Sequence, residues 1–295
     1  MKITVTGSLG NISRPLAETL IKQGHTVTVV SSSTEKVDEI EALGARAAIG
    51  KLEDTDFLTS AFNEADAVYC MVPPNHAAPD LLAYYGKLGE CYVEAIRRSA
   101  VKRVVDLSSY GAHLESGTGI IVGAYRNEQL LNTLKGVSIT HLRPGYFYYN
   151  LYAFIPMIRN AGFIAANYGD SDRMVLVSPV DIAEVAAEEL VKFVDGVTVR
   201  YVVSDERTAD EIARVLGIAI GMQDLRWKTI SSEQMQQGLE AAGMSGSFAA
   251  LYVELSGAIH SGKMQEDYYK HKPATMGKVR IEDFAKEFAA GFATK

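Results

Sequence analysis

From the first residues onward, strand-forming and helix-forming segments alternate, and this alternation restricts the fold more than any other feature of the chain. The β-branched run Ile3-Thr4-Val5-Thr6 leads into a glycine-containing turn and then a helical pattern from about Asn11 to Gln23. Leu16, Leu20 and Ile21 line one face of that helix, and Gly24 supplies its stop. Pro15 falls in the first turns, where a missing N–H costs little. Thr26–Val30, Arg46–Ile49, Ala67–Met71, Arg103–Leu107 and Val137–Leu142 read as further strands. Helical segments separate them at Thr34–Leu43, Asp54–Phe62, Ala78–Ser99 and Ala124–Leu134. Strands joined through helices imply right-handed crossovers and a parallel sheet. Beyond Pro144 the rhythm changes to helices at Asp181–Val194, Ala209–Leu216, Ser232–Ala242, Phe248–Ser261 and Ile281–Phe292. Short strands are expected there at Met174–Val177, Val197–Val203 and Leu225–Thr229.

Six strands before residue 143, with a glycine loop after the first, predict an α/β fold of Rossmann type. Residues 1–145 would form the doubly wound parallel sheet and NAD(P)-binding domain. Residues 146–295 would form a smaller, mostly helical lobe covering its ligand edge. A dinucleotide's pyrophosphate needs backbone N–H groups and a helix N-terminus aimed at it, with no side chains in the way. Gly7 is placed for the tight turn off the first strand and Gly10 for close approach to phosphate. Ser13 holds the third position, so the spacing is Gly-x-x-Gly-x-x-Ser. Ser8, Leu9, Asn11 and Ile12 complete the candidate loop. The second strand ends in Ser31-Ser32-Ser33 with Lys36 close behind, where an acid would select a free ribose 2′-OH. Hydroxyls and a lysine accommodate a 2′-phosphate, so NADP(H) is favoured, with NAD(H) as the other option and no arginine in evidence. A helix N-cap at Ser33 or Thr34 is compatible with either.

Composition narrows the class. The 29 basic residues against 36 acidic ones give a net charge of −7, which disfavours a nucleic-acid face. Cys70 and Cys91 are the only cysteines, which excludes a disulfide framework and suits a reducing compartment. The histidines, at 25, 76, 113, 141, 260 and 271, show no metal-ligand spacing. No apolar run approaches the roughly 20 residues of a membrane span. Lys2 runs straight into a strand without a signal-peptide pattern. A soluble, cytoplasmic protein with a small-molecule substrate is expected. Self-association or a regulatory protein partner stays open.

In these motifs the chain resembles the NmrA-like branch of the atypical short-chain dehydrogenases/reductases. Thr6-Gly7-Ser8-Leu9-Gly10 is similar to that family's opening Thr-Gly-x-x-Gly, and Gly50-Lys51-Leu52 stands where it has Gly-Asp-Leu beside the adenine. Met71-Val72-Pro73-Pro74 resembles its cofactor-lining turn, and Leu107-Ser108-Ser109 its strand ending in paired serines. Leu142-Arg143-Pro144-Gly145-Tyr146-Phe147-Tyr148-Tyr149-Asn150 is similar to its Leu-Arg-Pro-Gly-x-Phe-x-x-Asn, and Val180-Asp181-Ile182-Ala183 to a further segment. The resemblance implies cofactor contacts at Lys51, Leu52, Met71, Val72, Pro73, Ser108 and Ser109, and reduction of a small quinone, carbonyl or similar acceptor. Two departures stand out. Lys51 replaces the usual acid, and the Tyr-x-x-x-Lys positions fall near Ile120 and Ala124, neither of which moves protons.

Hydride transfer belongs to the cofactor, so the protein's part is to orient and to exclude water. Tyr110, after the serine pair, and Tyr125 are the candidate catalytic tyrosines, each with an ordinary packing role as the other reading. Tyr110, Pro144, Gly145, Tyr146, Phe147 and Tyr149 are candidates for the substrate pocket. The aromatic run through Tyr152 and Phe154 is a pocket wall or the glue between lobes, with packing expected for Phe147 and Phe154. Asn150 is expected to cap the next helix. Arg126 and Glu128 are expected to pair on a helix surface, an edge of the site being the other reading. Tyr268 and Lys272 have the Tyr-x-x-x-Lys spacing but lie in the second lobe, where the match reads as chance. A non-catalytic NADP(H) sensor is the alternative to a reductase, because the usual pair is missing. A nucleotide-sugar epimerase or dehydratase is disfavoured for the same reason.

Overall fold

The computed structural model describes residues 1–75 and 77–294; His76 and Lys295 lie outside the described residues. Two compact units share the chain. One comprises Met1–Ser109, Gly123–Arg143 and Ile182–Arg200, the other Tyr110–Val122, Pro144–Asp181 and Tyr201–Lys295. A single cut after residue 145 therefore misses the interleaving, since the chain passes from one unit to the other five times. Local hydrophobic periodicity defines an element's buried face but not the unit that receives it, so nothing in the sequence of 110–122 or 182–200 marks their unit.

The first unit opens with β1 (Lys2–Val5), α1 (Ser13–Lys22), β2 (Thr26–Ser31), α2 (Val37–Ala42), β3 (Arg46–Ile49) and α3 (Thr55–Phe62). It continues with β4 (Ala67–Met71), α4 (Leu81–Arg98), β5 (Arg103–Leu107), α5 (Ile121–Leu131) and β6 (Ser138–Pro144). The sheet order is β3-β2-β1-β4-β5-β6, and each neighbouring pair among these six is parallel. The order reverses between β1 and β4, and ligands of such sheets bind outside the strands' carboxyl ends at that point. Val197–Val202 joins the sheet beside β6 as a seventh strand. Its sequence looks like an isolated strand of the helical half, because edge pairing across more than fifty residues leaves no local trace.

Local chemistry accounts for the boundaries. Leu16, Ala17 and Leu20 are buried along α1, and Gly24 closes it at a φ of +84° that disfavours a side chain. Asp54 and Asp80 cap α3 and α4 through Phe57 N–H and Ala83 N–H. Beneath the helices the central strands carry polar groups in register, Cys70 beside Asp106 and Asp106 beside His141. His141 Nδ1 lies 2.9 Å from Asp106 Oδ2, and Asn127 Nδ2 donates to Asp106 Oδ1 at 3.0 Å. Burial pushes both the Asp106 carboxyl and the Cys70 thiol upward in pKa.

Glu128 departs from expectation. Arg126 is exposed, but Glu128 is only 2% exposed and pairs inward. It accepts from Arg143 Nε at 2.9 Å and Nη2 at 2.7 Å, and from Ser108 Oγ at 2.5 Å. The surface pair is thus replaced by a buried bidentate one, because the 3.6-residue turn puts Glu128 beside Asn127 on the sheet-facing side of α5.

In the second unit, Asp205–Thr208, Arg173–Val177 and Tyr146–Phe147 form a three-stranded sheet, and Trp227–Thr229 pairs with Ile164–Ala166. Residues Tyr148–Phe154 are a 3₁₀ helix, so Asn150 lies inside it, and the following helix, Ile155–Ala161, has Phe154 at its N-cap position. Packing explains the tight coil. Tyr148 stacks on Phe284 at 5.2 Å, Tyr152 on Phe288 at 5.8 Å, and Phe154 meets Trp227 edge-on at 5.0 Å. Tyr148 and Phe154 thus pack within the second unit's core. No helix among the described residues is long and apolar enough to cross a membrane.

Glu128→Ala leaves Arg143 buried without its carboxylate, and a loss of about 3–5 kcal/mol in unfolding free energy is expected. Urea denaturation followed by circular dichroism measures it; a change within error would show that the pair is dispensable.

Candidate functional site

The glycine loop leaves β1 at Thr6, and its shape follows from one buried threonine. Thr6 Oγ1 donates to Tyr69 O at 3.1 Å and accepts from Met71 N–H at 3.1 Å, while Ser13 Oγ donates to Thr6 O at 2.8 Å. Helix α1 is thereby drawn onto β1. A serine serves where the usual fingerprint has glycine because its hydroxyl binds the strand it touches. Gly7 has φ +93°, and a Cβ there would stand 2.6 Å from Ser13 Oγ and 3.1 Å from the Met71 side chain. Ser8 follows at φ +54°, held by N–H donation to Val30 O and by its hydroxyl to Ser31 Oγ at 2.9 Å. Gly10 and Asn11 are exposed, and α1 starts at Ile12–Ser13 without a side-chain cap. Exposed Gly10 and Asn11, directly ahead of an uncapped helix N-terminus, fit a pyrophosphate.

At the end of β2 the three serines divide their work. Ser31 is buried and ties the glycine loop to its own strand. Ser33 caps the 3₁₀ turn Thr34–Lys36 by accepting from Glu35 N–H, which satisfies the capping reading. Ser32 is exposed. Lys36 Nζ donates to Glu39 Oε2 at 2.7 Å, and the same carboxylate binds Arg14 Nη2. Arg14 therefore belongs to the ion-pair cluster at Lys36, although it is 22 residues away in sequence. Sequence reasoning missed it; the available signal was a basic side chain in the first turn of α1, where only an anion offsets its repulsion by the helix dipole.

Gly50 N–H donates to Ser31 O at 2.9 Å, and a Cβ at Gly50 would stand 2.6 Å from the Phe57 ring. Lys51 is exposed and Leu52 half-buried just beyond β3. Met71, Val72 and Pro73 are half-buried beyond β4, where Tyr92 Oη donates to Met71 O at 2.7 Å. Beyond β5, the Ser108 hydroxyl is committed to Glu128, and Ser109 is half-buried. Every candidate cofactor residue thus lies in the first unit, just past the carboxyl end of one of five parallel strands.

Tyr110, Pro144, Gly145, Tyr146, Phe147 and Tyr149 belong to the second unit, whereas Tyr125 belongs to the first. Tyr110 N–H donates to Pro144 O at 3.0 Å, joining the two halves of this group. Gly145 N–H donates to Val202 O, and a Cβ at Gly145 would stand 2.4 Å from Val175 O, so only glycine passes there. Burial raises the Tyr110 and Tyr146 phenols well above the ordinary range. Tyr268 and Lys272 both bind Glu206, with Lys272 Nζ 2.5 Å from Oε1. That hydrogen bond and burial hold the Tyr268 phenol protonated, so their spacing serves packing.

Against this geometry the comparisons with known proteins are consistent. Residues 7–192 match the model of the NAD(P)H-binding family, and the chain belongs to that family. The NAD(P)-binding family expected from the motifs is thereby borne out. An NAD(P)H azoreductase of Xenophilus azovorans is 26% identical, over 98% of this chain and 99% of its own. Among solved structures, an NADPH-dependent quinone oxidoreductase from Escherichia coli superposes with a TM-score of 0.79 at 18% identity, over 97% of this chain and 98% of its own. A triphenylmethane reductase from Citrobacter sp. gives 0.77 at 20% identity, over 98% and 100%. The fold is shared with both, and each has been solved in complex with NADP(H) or NADPH.

Gly10→Asp puts a carboxylate on the open side of the loop, and a loss of about a hundredfold in NADPH affinity is expected, the scale of one unpaired charge at an anion site. Gly10 is exposed, but a Cβ there would stand 3.1 Å from Gly7 O, so only a small drop in the unfolding midpoint is expected. Fluorescence titration with NADPH beside thermal melting separates the two; unchanged affinity removes the loop from the site.

Proposed function

We propose that the protein is an NAD(P)H-dependent oxidoreductase that reduces a small quinone, carbonyl or similar electrophile, with NADP(H) favoured. The observation that carries this reading is the cradle at Gly7–Ser13, in a family defined by binding this cofactor. When bound, the dinucleotide supplies the hydride. The chain's own part is positional. Backbone N–H groups of Leu9, Asn11 and Ile12 and the start of α1 would hold the pyrophosphate, Gly10 N–H being bonded to Gly7 O. Ser32, Lys36 and Arg14 would meet a ribose phosphate. Val72 and Pro73 would line the turn beside the cofactor, and Ser109 the end of β5. On the second unit, Tyr110, Pro144–Phe147 and Tyr149 would receive a flat, apolar acceptor.

The relatives support this choice, since their names include reduction of azo compounds, quinones and triphenylmethane dyes. Cys70 and Cys91 are free and buried, which supports a reducing, cytoplasmic setting. A sensor reading draws on Ile120 and Ala124, which stand where a proton-transferring pair is usual. Following NADPH absorbance with quinones, aldehydes, azo dyes and triphenylmethane dyes decides between them. Turnover of one class is expected; tight binding of both redox forms with no turnover would instead mark a sensor.

Arg14→Ala and Lys36→Ala each remove one cationic donor. The KM for NADPH is expected to rise about tenfold in each, with NADH nearly unaffected, as the loss of one charge-assisted hydrogen bond implies. Equal changes for the two cofactors would place these residues outside the ribose site.

A further inference from the structure

The second unit holds a cleft of its own. It measures about 460 Å³ and lies among the loop at Gly117, the helix Ser232–Ala241 and the helix Gly246–His260, with Lys263 just beyond. All of these residues belong to that unit. The walls are fixed by close contacts. A Cβ on Gly119 would clash with Leu251 O, so the loop lies directly on the helix Gly246–His260. Asn167 ties the two helices together, its Nδ2 donating to Ser232 Oγ at 3.1 Å and to Val253 O at 3.0 Å. Ser232 and Val253 both line the cleft, as does Gly257, where a Cβ would stand 3.7 Å from the same nitrogen.

The Asn167 amide is thus seated on three cleft residues, and its side chain is only 5% exposed. The Val253 carbonyl can only accept, so the amide nitrogen must face it, and the orientation is determined. Asn167 Oδ1 then has no hydrogen-bond partner among the described residues. A buried acceptor left in this state costs free energy, and native proteins rarely keep one without a group that donates to it. Two more acceptors line the same cleft. Gln236 Nε2 donates to Glu240 Oε1 at 2.6 Å and to Gly246 O at 3.1 Å, which uses both of its protons and leaves Oε1 to accept. Glu254 is exposed and, like Lys263, forms no ion pair among the described residues.

We propose that this cleft binds a free amino acid, its ammonium on Asn167 Oδ1, Gln236 Oε1 and Glu254 and its carboxylate on Lys263. A primary ammonium offers three N–H donors and no acceptor, the complement of two amide oxygens and one carboxylate. Lys263 repels a second cation and pairs with an acid, which excludes a diamine. Between the charged groups the lining is Ala250, Val253, Gly257 and Ala258, which suits a ligand with an uncharged side chain. The site shares no residue with the glycine loop and does not depend on the reductase reading.

Calorimetric titration of the full-length protein with each standard amino acid tests the site. At least one with an uncharged side chain is expected to bind with a Kd of about 1 mM or below. The tightest binder is then compared with its decarboxylated amine and its deaminated acid. Each should bind about tenfold more weakly, the loss of one charge-assisted hydrogen bond. Glu254→Gln is expected to weaken the amino acid and the amine about tenfold and leave the acid unchanged, whereas Lys263→Ala should weaken the amino acid and the acid but not the amine. Gly257→Leu fills the cleft beside Asn167 and should abolish binding, with the thermal midpoint and the affinity for NADPH held. The two exposed positions decide the matter should Gly257→Leu not fold. Failure of every amino acid to bind overturns the proposal and leaves Asn167 Oδ1 to water. Binding that survives Gly257→Leu, or that neither charge variant weakens, overturns it as well, as does an amine that binds as tightly as its amino acid. None of these results bears on NADPH oxidation, which is measured separately.

Discussion

The first unit depends on how Thr6 is satisfied. Its side chain is fully buried and its hydroxyl both donates to Tyr69 O and accepts from Met71 N–H, while its carbonyl receives the Ser13 hydroxyl. Tyr92 from α4 reaches the same hydroxyl at 3.3 Å and the Met71 carbonyl at 2.7 Å. One residue therefore fastens β1, β4, α1 and α4 at the point where the strand order reverses. The shape of the glycine loop is imposed from below by these bonds. Buried polar groups of this kind are costly when unpaired, which makes the geometry all-or-none.

Electrostatics at the end of β2 has a different character. Arg14, Lys36 and Glu39 are all partly exposed, so their mutual attraction adds little to stability. Their value lies in position. Glu39 holds two cations side by side next to Ser32, and an arriving dianion would meet donors already turned toward one another. A carboxylate that shares its partners also prevents bare positive charge from accumulating beside the helix N-terminus. The overall charge of −7 says nothing about this corner of the surface.

Much of the first unit was legible in the sequence because its signals are local. The strands, the glycine stop at Gly24, the Ser33 cap and the loop at Gly7–Ser13 all depend on near neighbours in the chain. Interactions between distant residues were not legible. Arg14 joins Lys36 only after α1 and α2 are in place, and Glu128 finds Arg143 only after α5 lies on the sheet. Val197–Val202 was legible as a strand but not as the edge of the large sheet, and the strands Ile164–Ala166 and Asp205–Thr208 are too short to declare themselves. Asn150 was misread because capping residues and 3₁₀ interiors look alike until aromatic packing decides. At the candidate site, the tyrosines after the serine pair and after Arg-Pro-Gly were visible because each follows a motif.

The interleaving of the two units also governs how the molecule is made. During synthesis the ribosome releases β1 to β5 first, yet residues 123–143 and 182–200 of the same unit emerge only after stretches of the other. The sheet lacks its edge strand until residue 202 is free, so β6 waits with an open flank through roughly sixty further residues, a typical hazard of parallel sheets. Neither unit corresponds to one continuous piece of the gene. Recombination that exchanges contiguous blocks of the chain at a single crossover near its middle would therefore sever a core.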